Sequence, residues 1–257
     1  ISLEHSVPIQ QTALLSCDIW DKHWCQSATY RCGEIARQAN QVAKSALQKG
    51  AQIIHAPSDT MEFYENFEQR QMMQNLANSE MPTPLDLPDP PQPIDASDGG
   101  CDDDPQCEAV GLWTQQDPII EIGKNDGISD NGQEVYNLLR LKEISTLLIM
   151  GVHTNMCILG RSFSIKAMTR IGVICILVRD LTDAMYNPKR APFVSHQKGT
   201  ELVIEYIEKY WCKCYDIYIL EETDAFLETG GFHAAALSCD LGKLSHLEEY
   251  GINVEKI

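Results

Sequence analysis

The chain has 257 residues, 44% of them hydrophobic and 22% charged, and a formal net charge of −17. Those proportions describe a folded domain with a core, and the negative excess argues against a nucleic-acid partner, whose phosphates it would repel. No apolar run reaches the ~20 residues that span a bilayer, so no membrane partner is expected either. The sequence opens on Ile1 without a charged-then-apolar leader, so the expectation is a soluble protein, cytoplasmic or exported with its signal removed. The ten cysteines are scattered through a chain long enough to fold without disulfide staples. Cys17 and Cys175 fall in apolar runs, as small hydrophobes do, while Cys101 and Cys107 share a polar loop in which an oxidising compartment would allow a disulfide.

No repeat of 20 to 50 residues is visible; strands and helices alternate instead. "TALLSCDIW" (12–20) is an apolar strand ending in an acid. The helical stretch over 28–50 closes on Gly50. "AQIIHAP" is a second strand, and 61–78 has a polar helical pattern. The segment 79–118 is a long insertion whose prolines bar a helix or inner strand, and its "DASDGGCDDDPQ" reads as a solvated acidic loop. "PIIEI" (118–122) is read as the third strand, 131–144 as a helix and "STLLIMGVH" (145–153) as the fourth strand. A helix over 155–170, the strand "VICILVRD", a helix over 198–211 and a last strand "YDIYIL" (215–220) follow. The remainder, after about 221, suggests one or two short helices. Strands separated by helices of this length imply a mostly parallel sheet covered on both faces, a single α/β domain over 1–257 with the 79–118 insertion and a C-terminal extension.

A parallel sheet binds ligands at the carboxyl ends of its strands, beside the point where strand order reverses. With the usual reversal, the first and fourth strands meet there, bringing Asp18 next to the turn "HTNMC" (153–157). Cys157 then occupies the first turn of a helix, where free N–H groups and the dipole favour the thiolate and receive a developing oxyanion. The competing reading is an inert buried thiol. Asp18 is the candidate proton acceptor, and Lys124, after the presumed third strand, the candidate cation; Asp21 and Lys22 are the runners-up.

"CDIW" after the first strand, Lys124 after the third and G-V-x-T-x-x-C (Gly151, Val152, His153, Thr154, Cys157) after the fourth resemble the isochorismatase-like cysteine hydrolases, which include nicotinamidases. The likeness covers about 12–220. It implies an α/β/α sandwich with a six-stranded sheet in the order 3-2-1-4-5-6. It also implies a triad of Asp18, Lys124 and Cys157, a covalent intermediate on Cys157, and an oxyanion site at Val152, His153 and Cys157 around a cis peptide before His153. Oligomers whose neighbour closes the site are common in that family. Nicotinamidases hold a metal with an Asp-x-His pair after the second strand; here Asp59-Thr60-Met61 leaves the pair incomplete, with His55, Asp59 and His23 as the remaining candidates. No metal and no other cofactor is therefore assigned.

Trp20, His23, Trp24 and Tyr186 are candidates to line a pocket for a small-molecule substrate, against the alternative that the aromatics pack under the first helix. Asn187 and Arg190, in the same loop as Tyr186, are candidates to line or cover it. The leading functional reading is hydrolysis of a C–N bond in a small amide-type substrate, with nicotinamide itself a poor fit to the departures from the motif. Isochorismate-type vinyl-ether hydrolysis, or a binding member of the fold without turnover, are the alternatives.

Overall fold

The computed structural model describes residues 2–215 and 231–237. Eight strands are described, β1 (Ser2–Pro8), β2 (Thr12–Cys17), β3 (Gln52–Ala56), β4 (Gly127–Ile128), β5 (Thr146–Val152), β6 (Ile174–Asp183), β7 (Lys213–Tyr215) and β8 (Gly231–Leu237). The helices are α1 (Gln26–Gln48), α2 (Met61–Tyr64), α3 (Glu68–Gln74), α4 (Gly132–Leu141), α5 (Cys157–Gly160), α6 (Ile165–Arg170) and α7 (His196–Tyr210). Six strands form one parallel sheet in the order β4-β3-β2-β5-β6-β7, which is 3-2-1-4-5-6 in order of appearance.

Neighbouring apolar residues in these strands point to opposite faces, and that alternation builds three layers. Leu14, Ile53, Leu148 and Met150 meet Ala36, Ala39, Val42, Ala43 and Ala46 of α1 on one face. Leu15, Ile54, Leu147 and Ile149 meet Val135 and Leu138 of α4, Met168 of α6, and Val203 and Ile207 of α7 on the other. The alanines keep α1 close to the sheet. It ends at Gly50, whose φ of 99° allows the N–H groups of Gly50 and Ala51 to reach the carbonyls of Leu47 and Ala46 at 3.0 Å each.

Several elements differ from the sequence reading. "PIIEI" is not a strand: Ile120 turns inward beneath α1, and the third sheet strand is the two-residue β4 further on. The helical stretch after β3 is two short helices, and that after β5 breaks into α5 and α6 around Ser164. The last sheet strand is β7, three residues long, and the rest of "YDIYIL" lies outside the described residues. Short helices were expected after 221, whereas 231–237 is a strand pairing antiparallel with β1; the remainder of that region lies outside the described residues.

The 79–118 insertion has no regular structure, yet it is not a solvated loop. Leu87, Ile94 and Cys101 are buried. Its acids are partnered: Asp89 with Lys166, Asp95 with Arg190, Asp98 with Asn187 and Asp102 with Arg31. Repulsion within so acidic a stretch is offset because the body of the domain supplies the cations and amides. Cys101 and Cys107 are both free thiols.

Candidate active site

Asp18 follows β2 directly, and the chain turns there with a φ of 50°, a left-handed conformation that Asp tolerates. Its N–H is held by the Ala56 carbonyl at 3.0 Å. The carboxylate is fully buried and doubly held: Oδ1 accepts the Ser58 N–H at 2.7 Å and Oδ2 accepts Arg161 Nε at 3.2 Å. Burial raises the Asp18 pKa, with the Arg161 charge and the hydrogen bonds opposing it.

The strand that brings Cys157 alongside depends on one glycine. Gly151 has a φ of 118°, and a Cβ there would sit 2.0 Å from the Cys17 carbonyl oxygen. Only a residue without a side chain lets β5 approach β2 this closely. The peptide bond from Val152 to His153 is cis. Most of the polar cluster beyond it ties down the end of β6. The Thr154 N–H donates to the Asp183 carbonyl at 2.9 Å, and Thr154 and Thr182 share a hydroxyl bond of 2.7 Å. The Asn155 amide clasps the backbone of Met185, donating to its carbonyl at 2.9 Å and accepting its N–H at 2.8 Å.

Cys157 is half-buried, and both Asp18 and Arg161 act electrostatically on its thiol. Burial and the adjacent Asp18 charge push its pKa up to about 12, with Arg161 pulling the other way. This corrects the expected thiolate. A four-residue α5 has too little dipole to outweigh desolvation and a carboxylate, so the resting group is a thiol facing Asp18.

The cation at the site is Arg161, not Lys124. Arg161 bridges Asp18 and Asp59, the latter at 2.9 Å. Lys124 is exposed and precedes β4, so it sits at the amino end of the sheet, where the Gln52 side chain donates to the carbonyl of its neighbour Asn125. Asp18 and Cys157 are at the opposite end. The expected triad member is therefore displaced by the altered position of the third strand. Arg161 lies four residues past Cys157, one helical turn on, and that spacing was the signal available in the sequence. The runners-up do not reach the site either: Asp21 accepts the Thr114 N–H and hydroxyl at 3.0 and 2.7 Å, and Lys22 is exposed.

Trp20, His23 and Trp24 gather into one aromatic group. The Trp20 ring stacks on Trp113 at 4.5 Å, and its Nε1 donates to the carbonyl of Ser58, the residue whose N–H holds Asp18. His23 lies 5.4 Å from Trp24, 5.7 Å from Trp113 and 4.8 Å from His153 between ring centroids. Trp113, from the insertion, was not singled out in the sequence. Burial depresses both imidazoles, His23 to about 4 and His153 to about 3. His153 Nδ1 faces the Asp183 carbonyl at 3.3 Å, while its buried Nε2 has no partner among the described residues.

Tyr186 does not line a pocket. It is fully buried against Gly199, where a Cβ would come within 2.2 Å of the ring, and its hydroxyl donates to the Arg190 carbonyl at 2.8 Å. Asn187 and Arg190 are occupied with Asp98 and Asp95 of the insertion. The three metal candidates do not converge: His55 is bonded to Gln116 and Asp126 at 3.0 Å each, Asp59 to Arg161, and His23 belongs to the aromatic group.

Comparison with protein-family models gives no match, and comparison with curated proteins gives none. Among solved structures the chain is similar to a putative isochorismatase from Burkholderia xenovorans LB400, with a TM-score of 0.52, 12% identity, and coverage of 95% of this chain and 99% of that one. It also matches a cysteine hydrolase from Pseudomonas syringae pv. phaseolicola 1448A at a TM-score of 0.47 and 16% identity, covering 81% of this chain and 89% of that one. An isochorismatase from Pseudomonas putida KT2440 matches at 0.47 and 12%, with 82% and 91% covered. The chain has the isochorismatase-like fold. Among the described residues, no helix is long and apolar enough to cross a membrane.

Proposed function

We propose that the protein is a cysteine hydrolase of the isochorismatase-like class that cleaves a C–N bond in a small amide-type substrate. The observation that carries this reading is the Cys157 thiol set beside the buried Asp18 carboxylate, with Arg161 paired to Asp18 at 3.2 Å and its charge acting on the thiol. As sulfur attacks the carbonyl carbon, its proton passes to Asp18, so no resting thiolate is needed. The oxyanion falls to the N–H groups of His153 and Cys157, which take no acceptor among the described residues, whereas those of Thr154, Met156 and Ile158 are engaged. Asp18 then protonates the departing nitrogen, leaving a thioester on Cys157. Water, deprotonated by Asp18, hydrolyses the thioester and releases the acid. Arg161 takes the role expected of Lys124, keeping Asp18 ionised between proton transfers.

The test is a panel of short aliphatic and aromatic amides, ureido acids and hydrazides, with turnover and intact mass recorded together. An acyl adduct on Cys157 with at least one of them is expected. Absence of both turnover and adduct across the panel would sink the reading.

One observation favours a second reading. A thiol held near 12 beside an aspartate with a raised pKa also suits an acid that protonates the carbon of a vinyl ether without covalent catalysis. Isochorismate turnover that survives Cys157→Ser but not Asp18→Asn would select that reading.

A further inference from the structure

A second group of thiols lies where the insertion meets α1. Cys25, just ahead of that helix, and Cys101 and Cys107, from the insertion, place their sulfurs 3.3, 3.5 and 3.2 Å from one atom, Oδ2 of Asp103. The ligand atoms of Cys25, Cys101 and Asp103 all lie within 4.8 Å of one another. In a tetrahedral zinc site, Zn–S bonds of about 2.3 Å and Zn–O bonds of about 2.1 Å set S···O edges near 3.6 Å. The three S···O separations here are close to those edges, while the Cys107 sulfur stands outside the group in which every ligand atom is within 4.8 Å of the others.

The surroundings favour anions at these four groups. The first N–H groups of α1 have no partner inside the helix and lie at its positive end. The Ser27 N–H donates to Asp103 Oδ2 at 3.2 Å, and the backbone N–H groups of Gln26 and Ala28 favour the thiolate forms of Cys107 and Cys25. The Ser27 hydroxyl adds a further bond to Asp103. Asp102 and Asp104 pair with Arg31 and Lys189, but Asp103 between them has no Lys or Arg partner among the described residues. Four potential anionic ligands and their N–H donors are present with no side-chain cation among them.

We propose that Cys25, Cys101, Cys107 and Asp103 form a structural zinc site that fastens the 79–118 insertion to the start of α1. Binding releases three thiol protons to solvent as three Zn–S bonds and one Zn–O bond form, with no change of oxidation state. Cys25, Cys101 and Asp103 supply three ligands already grouped, and Cys107, which reaches Asp103, closes in as the fourth. Four protein ligands leave no open position for substrate, so the role is to hold structure. The insertion has no strand or helix of its own. Leu87 and Ile94 anchor its first part in the main core, but around Cys101 the core beneath it is small, made of Cys25, Ala28, Cys101 and Met185. A metal cross-link there would set Asp102 against Arg31, and through Arg31 the end of β6 at Asp183.

The test uses the whole chain, purified under thiol reductant, loaded with Zn²⁺ and freed of excess. One zinc per chain is expected by elemental analysis. Co²⁺ in its place should give the intense visible bands of a tetrahedral thiolate site. Cys101→Ser should lower retained zinc by about tenfold or more, and Cys107→Ser should weaken retention. Cys157→Ser and Cys32→Ser should keep the full complement, which separates this result from that of the hydrolase reading. Retention below about 0.1 zinc per chain together with no tetrahedral cobalt spectrum overturns the proposal. So does a mass lighter by two hydrogens with Cys101 joined to Cys25 or Cys107 despite reductant. The cobalt spectrum is read on the unaltered chain, so a variant that fails to fold does not spoil the test.

Discussion

Two places in this protein set cysteine sulfur against an aspartate, and they are built for different ends. At the carboxyl edge of the sheet a single thiol, Cys157, shares Asp18 with a guanidinium and remains half-buried. At the start of α1 three thiols share Asp103 and helix N–H groups, and two of the three are buried. The first has one sulfur, one proton acceptor and a cation to steady it, which is what an attack on a carbonyl requires. The second has several sulfurs and no side-chain cation, which is what a metal requires. The sulfur is the same in both; the number of neighbours and the sign of the nearest charge decide its chemistry.

The most severe way to break this comparison is to remove the reacting groups. Cys157→Ser and Asp18→Asn should each lower amide turnover by about 10³-fold or more, with circular dichroism unchanged. Cys32→Ser, a buried thiol outside both groups, should leave turnover as it was. Activity within tenfold of the unaltered protein in either of the first two variants would remove Cys157 and Asp18 from the chemistry.

Next comes the cation. Arg161→Gln should cost about 10²-fold in kcat, while Lys124→Ala changes nothing, because Lys124 is exposed at the other end of the sheet. The opposite ranking would mean that the third strand carries Lys124 to the site after all.

The thiol itself gives a sharper probe. With a pKa near 12, alkylation of Cys157 by iodoacetamide should rise about tenfold per pH unit from 7 to 9, without a plateau. Asp18→Asn removes a neighbouring negative charge and should lower that pKa and speed labelling; Arg161→Gln should slow it. A plateau below pH 8 in the unaltered protein would contradict the burial argument.

The smallest expected effect concerns stability. His153, depressed to about 3 by burial and by the His23 and Arg31 charges against the pull of Asp183, binds its proton more readily when unfolded. Its contribution is complete above the unfolded value of about 6.5 and is lost progressively as pH falls towards 3. His196, raised by Asp183 against burial, has the opposite sign and loses its contribution as pH rises through its folded value. The drop in urea midpoint between pH 7 and 5 should therefore be smaller in His153→Asn than in the unaltered chain, and equal drops would refute the assignment.

How much of this was legible before the structure depends on the element. The strands at 12–17, 52–56 and 146–152 are apolar runs bounded by turns, so their existence, and the placing of Asp18 and Cys157 at their carboxyl ends, could be read directly. "PIIEI" has the same look but a different fate. Ile120 is used as a plug beneath α1, and an apolar pattern does not distinguish a strand from a turn that buries its side chains. That one misplacement carried Lys124 to the wrong end of the sheet. Arg161 was within reach through its spacing from Cys157, but nothing local said which of its neighbours it would face. Tyr186 was placed on the ligand side by its loop, and only packing against Gly199 shows that it belongs to the core.

The amino-acid sequence alone determined a parallel α/β sheet, with Asp18 and the turn that carries Cys157 at the carboxyl ends of their strands. That these two strands are neighbours was an expectation from the usual order of such sheets and from the family resemblance. The strands, the helices and the strand-end positions follow from periodicity and from short-range turn chemistry, which are properties of neighbouring residues. Only the tertiary structure decided which cation completes the site, that the thiol is protonated at rest, and that the acidic insertion is paired rather than solvated. Each of these is a sum of charge and burial contributed by segments far apart in the chain, as between Asp18 and Arg161, 143 residues apart, and no local pattern encodes such a sum.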